Sequence, residues 1–435
     1  MRVFISFRHI LGAVVMPHSL IINGGIPLHG RVCISGAKNS ALPIIAASML
    51  VDDVDLNNVP DLLDVNNLLK LTQSLGSNYR FFDNQLSSDN TGLSQCDIPP
   101  FANQLRGSLL LAGPIVGRRG VFRSQMPGGC NFGGDRGVNF HLDAFREMGA
   151  KSIESSGYIT IDGRQGLHGA NINLPFPSVG ATENVMIAAC VADGKTTITN
   201  AAKEPEIVDL ANFIVAAGGD IIGAGSSEVT INGVNRDSLN TSVHYSIISD
   251  RIEVGTFISA AIITNGDLFL DGARLNHLGS YCDSLTNMGI ELKDRGNGIY
   301  VECPSSISAV DIITGPYPSF STDLQPIIAP VLAYANGLST ITDTIYSSRF
   351  RYADELQKLG ITLSIKDDHL KIQGRQKFSG GKANACDIRC GASLVIAGLA
   401  AEGTTEIGSI NYIDRGYERI VEKLKCVGSD ICRVE

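Results

Sequence analysis

A chain of 435 residues is too long for one compact core and predicts two domains. Hydrophobic content of 44% with 18% charged residues describes an ordinary folded protein, and a formal charge of −9 excludes nucleic acid as a default partner, since phosphate backbones call for a basic face. A small anionic substrate stays open, because it responds to the local field of a cleft rather than to net charge.

Met1 to Met16 hold a short apolar run, Ile10 to Val15, behind Arg2, Arg8 and His9. The run is short and interrupted, and no small-residue cleavage site follows, so residues 1–16 are expected to be a disordered extension or a misplaced start rather than a signal peptide. Nowhere else does the chain approach the ~18 uninterrupted apolar residues of a membrane span. The ten cysteines include no C-x-x-C pair and no His/Cys cluster at zinc-ligand spacing. A cytoplasmic protein with reduced thiols is expected, without metal, membrane or nucleic-acid partners.

Repetition organises the chain. A small-residue apolar helix, a glycine, a β-rich run, an amphipathic helix, a second glycine and another strand recur. Four copies are bounded by Gly194 and Gly218, Gly266 and Gly289, Gly337 and Gly360, and Gly403 and Gly428, with internal spacings of 24, 23, 23 and 25 residues. Gly120 to Gly149 makes a fifth copy and Asp53 to Gly76 a sixth. Thr196 to Thr199 and Leu268 to Leu270 read as strands, and Tyr417 to Val427 reads as an amphipathic helix. Thr182 to Ala192 and Ser393 to Ala401 are apolar nearly all round, which places such helices inside and the sheets and amphipathic helices outside. The expected fold is α/β: a two-domain inside-out α/β barrel of six repeated units, three to a domain.

The copy from Gly120 to Gly149 spans 29 residues, and its excess falls on Met126 to His141. Five glycines and a proline in sixteen residues cannot make a regular element, so this is a loop, and it carries Cys130, Asp135 and Arg136. Upstream, Ser35 to Pro43 ends a strand at Val32 to Ile34 and opens a helix whose first turn should hold Pro43. Lys38 beside that helix N-terminus makes a candidate anion site. Arg106, Arg136, Arg349, Arg389 and Arg415 are further candidates, since a planar guanidinium suits carboxylate and phosphate; for each one singly a structural salt bridge is the alternative. Asp323, in Ser321-Thr322-Asp323-Leu324, either caps the apolar helix that follows or serves as a general base.

Lys38-Asn39, Pro127-Gly128-Gly129-Cys130, Pro177 to Asn184, Lys203 to Asp209, Asp250-Arg251-Ile252-Glu253, Thr322-Asp323, Arg389 and Asp414 to Arg419 together resemble the UDP-N-acetylglucosamine 1-carboxyvinyltransferases, enolpyruvyl transferases of peptidoglycan synthesis. The likeness runs in order through residues 17 to 435. It implies transfer of the enolpyruvyl group of phosphoenolpyruvate to the 3-hydroxyl of UDP-N-acetylglucosamine, with release of phosphate and without cofactor, in a cleft between domains 17–37 plus 249–435 and 38–248. By the same resemblance Cys130 protonates the methylene carbon and assists product release, and Asp323 takes the proton of the sugar hydroxyl. Lys38, Arg136 and Arg415 hold the phosphate, and Arg349, Arg389 and Arg415 the carboxylate. Asn39, Arg106, Asp323 and Ile345 meet the UDP-sugar, and Ser178, Val179 and Gly180 cradle its diphosphate. A monomer is expected.

The sequence departs from that family between Cys130 and His141, which is one residue longer than usual, and at Phe176, where a lysine is often found. These segments bound the nucleotide. Another nucleotide acceptor such as UMP therefore stands as an alternative, and a non-catalytic protein that binds the nucleotide sugar as a second.

Overall fold

The computed structural model describes residues 19–100, 102, 105–126 and 138–434. The extension at residues 1–16 and residues 127–137 of the Cys130 loop lie outside the described residues; the loop expected to run to His141 ends sooner, because Asn139–Glu147 is helical.

Two hydrophobic cores account for the interior. One gathers residues from Ala41 to Ile247, the other Leu20 to Ile34 together with Ile252 to Ile431. Each is centred on three buried helices packed on one another: Lys38–Ser48, Ala112–Arg119 and Val179–Ala189 in the first, Arg251–Ile263, Gln325–Tyr334 and Ile388–Ala400 in the second. All thirteen residues of Arg251–Ile263 are buried, as expected of a helix with no polar face. Among the described residues six small sheets lie around these helices, which makes the inside-out α/β architecture.

The repeats are visible in the pairing. Leu338–Thr342 lies antiparallel to His369–Gln373 and parallel to Ile312–Ile313; Lys195–Thr199 does the same with Glu228–Asn232 and Asn171–Asn173. The six glycines that close the units, Gly76, Gly149, Gly218, Gly289, Gly360 and Gly428, all sit at positive φ, between 79° and 111°, just past an outer helix. An L side chain there is strained, which is why glycine recurs at that spacing.

The chain crosses between cores twice. Ser19–Asn23 pairs with Thr404–Gly408 and Asp430–Val434, and His29–Cys33 with Asp267–Asp271, so the first strands belong with the last units. The crossing segments are bonded to each other, the Ala37 amide donating to the Ile248 carbonyl at 2.7 Å and the Asp250 amide to the Ser35 carbonyl at 2.9 Å.

Further boundaries differ from the sequence reading. Pro43 is the sixth residue of its helix, because Ala37 already accepts from the Ser40 and Ala41 amides. The ladder bond Pro43 forfeits is offset by burying ten of the helix's eleven residues. The apolar helices begin earlier than expected, at Val179 and Ile388, on the side-chain caps of Ser178 and Asp387. The outer helix of the last unit begins only at Ile420, because Arg419 at φ 47° breaks the pattern that starts at Tyr417.

Candidate active site

Several candidate residues lie at the N-terminal ends of the buried helices, Lys38 at Lys38–Ser48, Asp323 just ahead of Gln325–Tyr334 and Arg389 in the first turn of Ile388–Ala400. Lys38 opens its helix: its amide donates to Asp250 at 3.2 Å and its Nζ lies 3.4 Å from Oδ2 of Asp64. Asp64, in the first turn of Leu63–Ser74, also accepts from Nε of Arg415 at 2.8 Å. One buried carboxylate thus binds a cation from each core.

Asp323 lies two residues ahead of Gln325–Tyr334 and does not cap it; the N-cap position is Leu324, without a side-chain bond. Its carboxylate instead accepts from Arg349 Nη2 at 2.5 Å and Arg389 Nη2 at 3.2 Å. Arg349 and Arg389 are only 3% and 4% exposed, so Asp323 is the partner their burial demands. Burial by itself would raise the Asp323 pKa, but Arg389 and Arg349, with Lys38 adding to them, outweigh it and hold the carboxyl well below the usual range. Lys38 thus acts on the charge of Asp323 as well as pairing with Asp64. Arg389 is fixed further by Tyr417, which meets it through its hydroxyl at 3.4 Å and its ring face at 5.7 Å.

Asp343, which the sequence reading missed, arranges one wall. Buried to 2%, it accepts from Thr314 at 2.9 Å, Thr322 at 2.6 Å, Gln325 at 3.1 Å and the amides of Ile345 and Tyr346 at 2.9 and 2.8 Å. Thr322 in turn accepts from Arg349 at 3.2 Å, so this acid sets both the Asp323 segment and the turn bearing Ile345 and Arg349. Asp64 was missed for the same reason: each reads in sequence as an ordinary acid at the end of an element.

Of the residues expected to meet the acceptor, Asp323 and Ile345 belong to the wall just described, while Asn39, Arg106, Ser178, Val179 and Gly180 belong to elements of the other core. Ser178 caps Val179–Ala189, its hydroxyl accepting from the Ala181 amide at 3.4 Å, and places Val179 and Gly180 in the first turn. A Cβ on Gly180 would come within 3.4 Å of the His141 ring. Asn184 anchors this helix, receiving the Gly113 amide at 2.9 Å, donating to the Leu109 carbonyl at 2.8 Å and bonding His141 Nδ1 at 2.9 Å. Asn39 is half-buried beside Lys38, and Arg106 begins the tight turn Arg106–Leu111 that leads into Ala112–Arg119. Phe176, just before the Ser178 cap, is 38% exposed. Cys130 and Arg136 lie outside the described residues.

Between the cores a second charged cluster forms. Arg251 Nε donates to both oxygens of Glu206, at 2.9 and 3.2 Å, with Glu204 and Asp323 also acting on it. Glu183 is buried against these acids; burial first, then Glu206 and Glu204, push its pKa well above the carboxylate range.

A cavity of about 230 Å³ lined by Gly25, Thr264, Asn265, Tyr334 and Glu402 lies at the opposite, C-terminal ends of the helices and shares none of these residues. Among the described residues, no group of three His, Cys, Asp or Glu side chains is placed to hold a metal ion, and no helix is long and apolar enough to cross a membrane.

A family model described as EPSP synthase (3-phosphoshikimate 1-carboxyvinyltransferase) matches residues 22–424. The solved enolpyruvyl transferase NikO from Streptomyces tendae is similar with a TM-score of 0.88 at 26% identity, covering 96% of this chain and 99% of its own. EPSP synthase from Acinetobacter baumannii shares the fold with a TM-score of 0.75 at 19% identity, covering 96% of this chain and 100% of its own. Fold and matched model are thus those of an enolpyruvyl transferase. Closer in sequence are the UDP-N-acetylglucosamine 1-carboxyvinyltransferases of Halothermothrix orenii and Granulibacter bethesdensis, 43% and 41% identical over 417 residues, which are 95% of this chain and 99% and 98% of theirs. The chain belongs to the UDP-N-acetylglucosamine 1-carboxyvinyltransferase family.

Proposed function

We propose that this protein transfers the enolpyruvyl group of phosphoenolpyruvate to the 3-hydroxyl of UDP-N-acetylglucosamine and releases phosphate, the first committed step of peptidoglycan precursor synthesis, acting in the cytoplasm as a monomer. The observation that carries it is the grouping of four cations, Lys38, Arg349, Arg389 and Arg415, on the carboxylates of Asp64 and Asp323, a concentration of positive charge in a protein of net negative charge that suits a small trianion. We assign residues 17–37 plus 249–435 and residues 38–248 to two domains with the site between them.

In this reading the phosphoenolpyruvate carboxylate takes the Arg349–Arg389 pair with Arg415, and its phosphate takes Lys38 and Arg415, with Arg136 from the loop. Asp323 then has a second role. While both guanidiniums rest on it, it is a poor base. A bound carboxylate neutralises them, and the proton affinity of Asp323 rises only once the donor is present. The acceptor hydroxyl oxygen bonds to C2 as Asp323 takes its proton and C3 gains one, the role assigned to Cys130 on the resemblance of its sequence. Phosphate leaves as C3 gives a proton back and the double bond re-forms. Asn39, Arg106, Ile345 and the first turn at Ser178, Val179 and Gly180 are assigned to the UDP-sugar, the helix N-terminus suiting its diphosphate.

The exposed ring of Phe176 ahead of Ser178 favours testing a second acceptor. Phosphate release from phosphoenolpyruvate should require UDP-N-acetylglucosamine. Release with UMP and none with the sugar nucleotide would move the assignment to another acceptor, and tight binding without turnover would make the protein a nucleotide-sugar binder.

A further inference from the structure

Glu418 stands between Tyr417, which fixes Arg389, and Arg419, where the chain turns at φ 47°. It is only 7% exposed. Its Oε1 accepts from the Asp61 amide at 2.8 Å and from Asn84 Nδ2 at 2.6 Å, and its Oε2 accepts from the Ser35 hydroxyl. Asp61 and Asn84 lie in segments of the first core, beside Val59, Leu62 and Leu86, whereas Glu418 lies between Tyr417 and Ile420 of the second. A carboxylate only accepts, and burial makes each lost donor costly.

The segments it holds lead to one part of the site. Asp61 is three residues ahead of Asp64, Ser35 three ahead of Lys38, and Glu418 itself three beyond Arg415. Each partner is fixed in turn. Asn84 also donates to the Val59 carbonyl at 2.8 Å, bracing the chain just before Asp61. The Ser35 hydroxyl receives Lys423 Nζ at 2.6 Å, and the Ser35 amide donates to Glu253 at 2.7 Å, while Lys423 pairs with Glu253 at 2.6 Å. One acid therefore reaches the backbone beside every member of the group in which Asp64 meets Lys38 at 3.4 Å and Arg415 at 2.8 Å.

We propose that Glu418 is a positioning residue of the enolpyruvyl site, holding Lys38, Asp64 and Arg415 in register across the two cores. It does not touch the substrate in this assignment; it acts through the Asp61 and Ser35 segments. A shift of about 1 Å in either segment takes a cation off its partner, and misplacement on that scale is enough to weaken a site far from the change. The Arg349–Asp323–Arg389 group, built from other segments, is left in place.

The effect on phosphoenolpyruvate rests on the function proposed above; the clamp on the Asp61 segment does not. Glu418→Gln keeps the shape but sets an NH2 group against at least one donor, and Glu418→Ala removes all three bonds. In full-length protein, hydrogen exchange of the peptide containing the Asp61 amide should accelerate at least tenfold in Glu418→Ala; unchanged exchange overturns the clamp. Glu418→Gln should raise KM for phosphoenolpyruvate about fivefold, with kcat and KM for UDP-N-acetylglucosamine within about twofold of wild type, and should add less than about twofold to Asp64→Asn. Unchanged KM for phosphoenolpyruvate, or a uniform loss in all three parameters, overturns the positioning role, and full additivity with Asp64→Asn overturns its route through Asp64. Exchange is readable even if no acceptor supports turnover, so failure of the clamp and failure of the assigned reaction remain separate results.

Discussion

Asp323 and Asp64 each bridge a pair of cations, Asp323 the guanidiniums of Arg349 and Arg389 within one core, Asp64 the Lys38 ammonium of one core and the Arg415 guanidinium of the other. Their surroundings differ as much as their reach. The Asp323 side chain is 27% exposed on a wall braced by the five bonds of Asp343, whereas Asp64 is 6% exposed in the first turn of an outer helix. The first group is assembled whatever the two cores do, so it can wait for a substrate. The second is built from both cores, since its two cations come from different ones.

Removing Asp323 should have the largest effect. Asp323→Asn deletes the proposed base and should lower kcat by about 10²- to 10⁴-fold, the usual worth of a positioned general base. It also removes the competitor for Arg349 and Arg389, so KM for phosphoenolpyruvate should hold steady or fall. Steady-state phosphate release separates the two; a raised KM with kcat intact would make Asp323 a binding residue only.

Asp64→Asn should cost less and in the other parameter. Arg415 and Lys38 lose the buried carboxylate that fixes their positions, a loss that outweighs removal of a competing anion, so phosphoenolpyruvate should bind about tenfold more weakly, in the range of a charge-assisted bond. Because this bond joins the cores, limited proteolysis at the crossing around Ser35 and Ile248 should accelerate, which it should not in Asp323→Asn. Equal proteolysis of both variants would remove the distinction drawn between the two acids.

The sequence revealed the repeats and the cations but not these two groupings. Closing glycines are legible because one backbone conformation, positive φ after a helix, imposes one residue type at a regular interval. Lys38, Arg349, Arg389 and Arg415 are legible because cations at element ends next to apolar runs need a reason. That Arg349 and Arg389 share Asp323, and that Arg415 finds Asp64 from 351 residues away, depends on how helices from distant units converge, and no local spacing encodes it. Asp343 shows the limit plainly: its neighbours Thr342 and Thr344 suggest a polar turn, while its work is to receive five donors from three segments.

The smallest effect concerns stability and contrasts Asp323 with Glu183. Asp323 has its pKa lowered in the fold, so the stability it contributes is present above its ordinary value near 3.8 and drains away as pH falls below it. Glu183 has its pKa raised, so the folded chain keeps a proton that the unfolded chain releases above about 4.5. Its contribution is full in acid and declines as pH rises toward the folded value. Glu183→Gln keeps the shape of the protonated acid, offers its amide hydrogens to the neighbouring Glu204 and Glu206, and removes that decline. The melting temperature at pH 8 should therefore rise slightly, and its fall between pH 5 and 8 should flatten, while Asp323→Asn changes the profile only on the acid side. A lower melting temperature for Glu183→Gln at pH 8 would mean that Glu183 is ionised there and belongs, with Glu206, to the set of anions that hold Arg251 across the cores.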